Sequence, residues 1–175
     1  GESVNSTFKV TVWNPTLPKM IAQDGAAGDN LGCSVSISGD TADTADTALL
    51  GAKYDDDNGT NSGSAYVFVR DGAGNWCLQA KLTPDDGALG DKFGCAVALS
   101  GDTAVIGAEG DDDGLADAGS AYVFTRDGEG VWTQRAKLTA SDRAVGDWFG
   151  FSVAVSGGTA VIGAYGDDDN GANSG

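Results

Sequence analysis

Residues 64–119 read SAYVFVRDGAGNWCLQAKLTPDDGALGDKFGCAVALSGDTAVIGAEGDDDGLADAG, and residues 120–175 read SAYVFTRDGEGVWTQRAKLTASDRAVGDWFGFSVAVSGGTAVIGAYGDDDNGANSG. Both stretches are 56 residues long and align without a gap. Self-similarity at such a period marks a repeat architecture, and it governs every other reading of the chain. Each copy carries four strand signals bounded by turn residues. Residues 65–70 are rich in Val and aromatics. After the turn Asp71-Gly72-Ala73-Gly74, residues 76–82 run back as their partner. A Gly/Asp loop leads to residues 93–100, and the two-residue turn Gly101-Asp102 predicts a tight hairpin to residues 103–108. No segment shows helical periodicity.

Outward from these two copies, the first third of the chain is a looser third copy. Asn5-Ser6-Thr7-Phe8-Lys9-Val10-Thr11-Val12 stands where SAYVFVR is expected, and residues 24–32 match DGALGDKFG. Extra residues fill 39–47, where the second copy has Gly-Asp-Thr. The repeats are bounded at 5–63 (with a degenerate N-terminal hairpin), 64–119, and 120–175 (with its outer hairpin missing). The continuous apolar runs Tyr66-Val67-Phe68 and Val105-Ile106 suit sheets covered on both faces. The small residues Gly94, Cys95, Ala96 and Ala98 suit a crowded inner strand where sheets converge. The expected fold is therefore all-β: tandem four-stranded antiparallel blades of β-propeller type, three repeats, completed by association with other chains. A β-solenoid is the rival, but its coils are shorter and lack two-way hairpins.

Phe93-Gly94 with Gly107-Ala108, Phe149-Gly150 with Gly163-Ala164, and the weaker Leu31-Gly32 with Gly51-Ala52 resemble the FG and GA(P) anchors of FG-GAP repeats. Integrin α-subunit head propellers are built from that repeat, and the resemblance is closest to its bacterial style. It implies an extracellular or cell-surface propeller used in adhesion, ligand binding or surface architecture, often with bound calcium. One departure matters. In integrin-type repeats the calcium loop lies in the hairpin after the FG strand, and here that hairpin is the minimal Gly101-Asp102 or Gly157-Gly158. The family's metal residues are not carried over.

Composition narrows the function classes. The formal net charge is −16. That disfavours nucleic acid and anionic membrane surfaces, which are bound through clustered Lys and Arg. No apolar run is long enough for membrane insertion. There is no His, so Ser-His and Cys-His catalysis are ruled out. A catalytic carboxylate pair would be unique to one site and not copied into every repeat. The chain is expected not to be an enzyme. The three Cys show no metal-type spacing.

The acids recur at one place per repeat: Asp55-Asp56-Asp57-Asn58-Gly59, Asp111-Asp112-Asp113-Gly114 and Asp167-Asp168-Asp169-Asn170-Gly171. These triplets hold nine of the 26 acidic residues. Calcium takes six to eight hard oxygens, so these loops are candidate calcium sites. Asp, Asn and Gly are also favoured turn residues without any metal, and both readings stand at this point. Strand geometry points the first and third Asp one way and the second the other. Like-charge repulsion predicts that Asp-to-Asn changes leave the fold as stable or slightly more so. Asp29, Asp91 and Asp147, in Gly-Asp-x-(Phe/Leu)-Gly, are expected to accept backbone N–H bonds that close the long loop. Asn5 and Asn58 lie in glycosylation sequons. Trp76 and Trp132 are expected in the core.

The chain is expected to be an extracellular structural or adhesive module that self-associates head to tail, as a ring or filament, with calcium stabilisation. The alternative is a segment of a larger integrin-like propeller that binds a protein or glycan. Residues 149–164 end before the next outer hairpin would begin, and the exposed edge invites strand addition. The N-terminal hairpin of another copy, with Phe8, Val10 and Val12, is the expected donor.

Overall fold

The computed structural model describes residues 19–39, 46–169, 171, 174 and 175. Asn5, Phe8, Val10, Val12 and Asn170 lie outside the described residues. Among the described residues the strands are β1 (Ser34–Ser38), β2 (Thr47–Ala52), β3 (Ser64–Arg70), β4 (Trp76–Leu82), β5 (Phe93–Ser100), β6 (Thr103–Ala108), β7 (Ser120–Arg126), β8 (Trp132–Leu138), β9 (Phe149–Ser156) and β10 (Thr159–Ala164). No helix occurs among the described residues.

The strands form two four-stranded meanders, β1-β2-β3-β4 and β5-β6-β7-β8, and a two-stranded sheet, β9-β10. All neighbours pair antiparallel. These are sheets of the propeller-blade kind, arranged as a partial, unclosed propeller. Each complete blade joins the last two strands of one sequence repeat to the first two of the next. The Ser100–Thr103 pair closes the two-residue hairpin, with Gly101 at a φ of 56°.

The blades stack face to face, β5 lying between β1 and β9. The anchor glycines mark the closest approach. A Cβ on Gly51 would meet the carbonyl of Gly94, and one on Gly107 would meet the carbonyl of Gly150. The FG and GA glycines are thus two sides of one backbone-to-backbone contact between blades.

Alternating serines of β1 complete this contact. Ser34, Ser36 and Ser38 Oγ accept from the N–H groups of Val97, Leu99 and Gly101 at 2.9, 3.0 and 3.0 Å. These donors lie on the free edge of β5. At the next interface Ala96 and Ala98 stand in place of two of the serines, and Ser100 Oγ accepts from Gly157 N at 3.1 Å. The main core, with Leu49, Val67, Phe93, Leu99, Ile106 and Phe124, lies between the two complete blades. Trp132 packs against it, and Trp76 packs against the second cluster on the other face of the first blade.

Candidate functional site

The Asp triplets follow β2, β6 and β10, and the first of each folds its own loop. Asp55 Oδ1 accepts from Asp57 N at 3.1 Å, and its carbonyl accepts from Gly63 N at 2.9 Å. Asp167 repeats this, accepting from Asp169 N at 3.1 Å and Gly175 N at 2.9 Å. The second Asp turns away, although the triplets lie in turns beyond the ends of β2 and β6 and not in strands. Asp56 accepts from Asn61 N at 2.7 Å and Asp112 from Asp117 N at 2.8 Å. Asn58 N donates to Ser62 Oγ.

The loop then staples two blades together. Phe93 N donates to Ser62 O at 2.9 Å and Lys92 N to Asn61 O at 3.0 Å. Phe149 N to Ala118 O and Trp148 N to Asp117 O repeat the staple. Asp29, Asp91 and Asp147 close the adjoining turn, accepting from the N–H groups of Ala26, Ala88 and Ala144 at 2.6, 2.7 and 2.5 Å. Burial, then the charges of Asp111 and Asp112, push the Asp91 carboxyl up to about 6.

The first and third Asp of two triplets converge on a lysine. Lys81 Nζ lies 2.7 Å from Asp24, 3.0 Å from Asp55 and 2.5 Å from Asp57. Lys137 Nζ lies 2.7 Å from Asp86, 2.7 Å from Asp111 and 2.5 Å from Asp113. A tyrosine completes each box. Tyr66 OH is 2.8 Å from Asp55 and 3.1 Å from Asp24, and Tyr122 OH is 2.7 Å from Asp111 and 3.0 Å from Asp86. Sheet register places them: Tyr66 is directly opposite Lys81, and Tyr122 opposite Lys137. Each ammonium also stands over its tyrosine ring, at 5.1 and 5.3 Å.

The charges interlock. Burial works against both ammonium groups, but their carboxylate bonds hold the pKa values above the usual lysine range. Burial raises Asp55 and Asp86, and the bonds from lysine and tyrosine outweigh it and lower both. The Lys81 bond lowers Asp24. Burial and the adjoining carboxylates raise both tyrosines. These tyrosines and lysines, with Asp24 and Asp86, were not singled out in the sequence. Their signal was present, since the Tyr of SAYVF, the Lys of AKL and the Asp before Gly or Arg recur in step.

The oxygens of Asp86, Asp111 and Asp113 lie within 4.8 Å of one another, close enough to hold a cation. The cation at that point is the Lys137 ammonium. Calcium wants six to eight oxygen ligands. As held here the trio does not fit it, because Lys137 would have to withdraw.

The third box differs. Asp142, Asp167 and Asp169 are the counterparts of Asp86, Asp111 and Asp113. Among the described residues no lysine or arginine pairs with any of them. The charge of Asp167, then that of Asp142, raises the exposed Asp169 carboxyl. The acidity relieved twice within the chain is left unrelieved here.

The blade faces show the same asymmetry. Leu49 and Val105 are 0% and 1% exposed against the following blade, while their counterpart Val161 is 65% exposed. On the opposite end, Val97 and Leu99 are each 7% exposed, and their counterparts Val35 and Ile37 are 67% and 65% exposed. Cys33 is exposed, with its thiol 3.5 Å from the carbonyls of Gly51 and Gly94, whereas Cys95 is half-buried, which pushes its thiol up to about 12.

The family model described as FG-GAP repeat matches residues 17–68, 76–124 and 132–175, in three consecutive copies. No curated protein matches the chain.

Proposed function

The chain belongs to the FG-GAP repeat family, and on that premise we propose that it is a structural or adhesive module of the cell surface that completes its propeller by head-to-tail association with other copies of itself. FG-GAP repeats are typical of extracellular and surface proteins. No helix among the described residues is long and apolar enough to cross a membrane.

The observation that carries the proposal is the exposed apolar residues at the two ends. Val35 and Ile37 are the open part of a first-blade face whose Ala48, Leu50, Tyr66 and Phe68 are already buried, and with Val161 at the other end they match the two halves of the interface between the blades. The backbone contact agrees with this pairing. A Cβ on Gly32 would meet nothing, and one on Gly163 would meet only the flexible Ser152 side chain, so the Gly51–Gly94 type of contact is unfilled at both ends. Ser152 and Ser156 occupy the β9 positions equivalent to Ser34 and Ser38, the acceptors of the existing interface. Exposed apolar patches of this kind mark association surfaces. A heterologous contact closes into a ring or propagates as a filament, according to its rotation. Three repeats in each of two copies make six, within the usual range of about four to eight blades.

Light scattering over a concentration series tests the reading. The expected result is a mass at a multiple of the chain, reduced to the monomer by Val161→Asp or by Val35→Asp. A wild-type chain that stays monomeric at every concentration refutes it.

A further inference from the structure

The two closed boxes define what the third one lacks. Each takes one carboxylate from the loop before a blade, two from the Asp triplet, and one ammonium from that blade's outermost strand. The third blade supplies Asp142, Asp167 and Asp169, and among the described residues nothing supplies the ammonium.

A lysine in the right place occurs once more. Lys81 stands five residues before Asp86, Lys137 five before Asp142, and Lys19 five before Asp24. Lys19 is the first-copy counterpart of the two box lysines. It is exposed, and it makes no ion pair among the described residues. The chain therefore carries an unmatched acceptor at its last blade and an unmatched donor ahead of its first.

Resting on the head-to-tail reading above, we infer that Lys19 of a second copy enters the Asp142–Asp167–Asp169 box and locks the junction between chains. The segment bearing Lys19 takes the position that β8 holds in the second blade. Its ammonium then sits where Lys137 sits among Asp86, Asp111 and Asp113. Residues 1–18 contain no tyrosine, so the ammonium alone makes the polar contact that Tyr122 and Lys137 share in the second box. The lock sets register and direction: only the donor end of one copy meets the acceptor end of another. Opposite charges at an interface act on specificity and orientation in this way. The contact is half-exposed, so it weakens with salt, whereas the apolar faces do not.

The test mixes ¹⁴N- and ¹⁵N-labelled full-length chains and joins touching carboxylate–ammonium pairs with a zero-length carbodiimide. The expected product is a mixed-isotope amide between Lys19 and Asp142, Asp167 or Asp169. In parallel, Lys19→Glu and Asp169→Lys should each weaken association about tenfold or more, and the two together in one chain should restore it. Both positions are exposed, so neither change threatens the fold. If Val161→Asp disperses the assembly while Lys19→Glu leaves it unchanged, or if the mixed cross-links fall elsewhere, the lock is overturned and the head-to-tail reading stands. A monomeric wild type with no mixed cross-link overturns both.

Discussion

Strands β6 and β10 are the same six residues, TAVIGA, in two different surroundings. In β6 Val105 is sealed beneath the two-stranded sheet; in β10 the identical Val161 faces open solvent. The same contrast runs through the loops that follow them. Asp111 and Asp113 are held by Lys137, and Asp167 and Asp169 have no cation among the described residues. Local sequence is constant across the comparison, so the difference measures what a neighbouring blade contributes. The neighbour supplies an apolar cover and a backbone contact at the anchor glycines, while the counter-charge of the loop comes from the blade's own outer strand, where β8 carries Lys137.

The comparison breaks most visibly at the valines. Val105→Asp puts an unpaired charge into the interface between blades and should cost about 4 kcal/mol or more. Val161→Asp should stay within about 0.5 kcal/mol for the isolated chain. Urea denaturation at a concentration too low for association reads both, and equal losses would mean that β10 is covered after all.

Next in size is the lysine. Lys137→Ala strands the buried Asp111 beside Asp86 and Asp113, and should cost about 2–4 kcal/mol, discounted from a fully buried pair because the lysine is part-exposed. Calcium should move the melting temperature of the wild type little, and should recover part of the Lys137→Ala loss by filling the vacated trio. A large calcium effect on wild type, abolished by no single lysine change, would show that metal and ammonium do not compete.

The glycines sharpen the contrast further. Gly107→Ala drives a Cβ into the Gly150 carbonyl and should cost about 1–3 kcal/mol. Gly163→Ala meets only a movable Ser152 side chain and should cost less than about 1 kcal/mol. Thermal melts of the two variants, compared with wild type, decide this.

A further effect is on pH. Asp91 has a folded pKa raised from 3.8 to about 6, so the folded state binds its proton first. Stability should rise as pH falls through 6 and approaches 4. Asp24, Asp55 and Asp86 are lowered, so the stability they contribute is present above their unfolded value and lost as pH falls below 4. Denaturation midpoints across this range should peak between the two limits, and Asp91→Asn should remove the rise on the acid side of neutrality. A midpoint that only falls from pH 7 downward would refute the assignment.

The expectation that Asp-to-Asn changes relieve repulsion now divides by loop. In the first two triplets Asp55 and Asp111 accept from a tyrosine and a lysine, so their replacement removes bonds. In the third, Asp169→Asn removes only the repulsion of Asp167 and its neighbours.

Repetition, strand limits and hairpin turns were legible in the sequence because each depends on residues adjacent in the chain. The run WCLQAKL is β4, FGCAVALS is β5, and the Gly101-Asp102 turn lies where its two residues place it. The opposite pointing of the second Asp was expected from strand alternation, but the triplets fold as turns, and the turn hydrogen bonds from Asn61 and Asp117 set it. The lysine boxes were not legible. Lys81 lies 26 residues from Asp55 and 57 from Asp24, and only the strand order β2-β3-β4 brings them together. The fate of TAVIGA was decided by tertiary structure alone. Six identical residues encode a strand with apolar side chains on both faces, but burial of the Val face depends on whether another sheet lies against it.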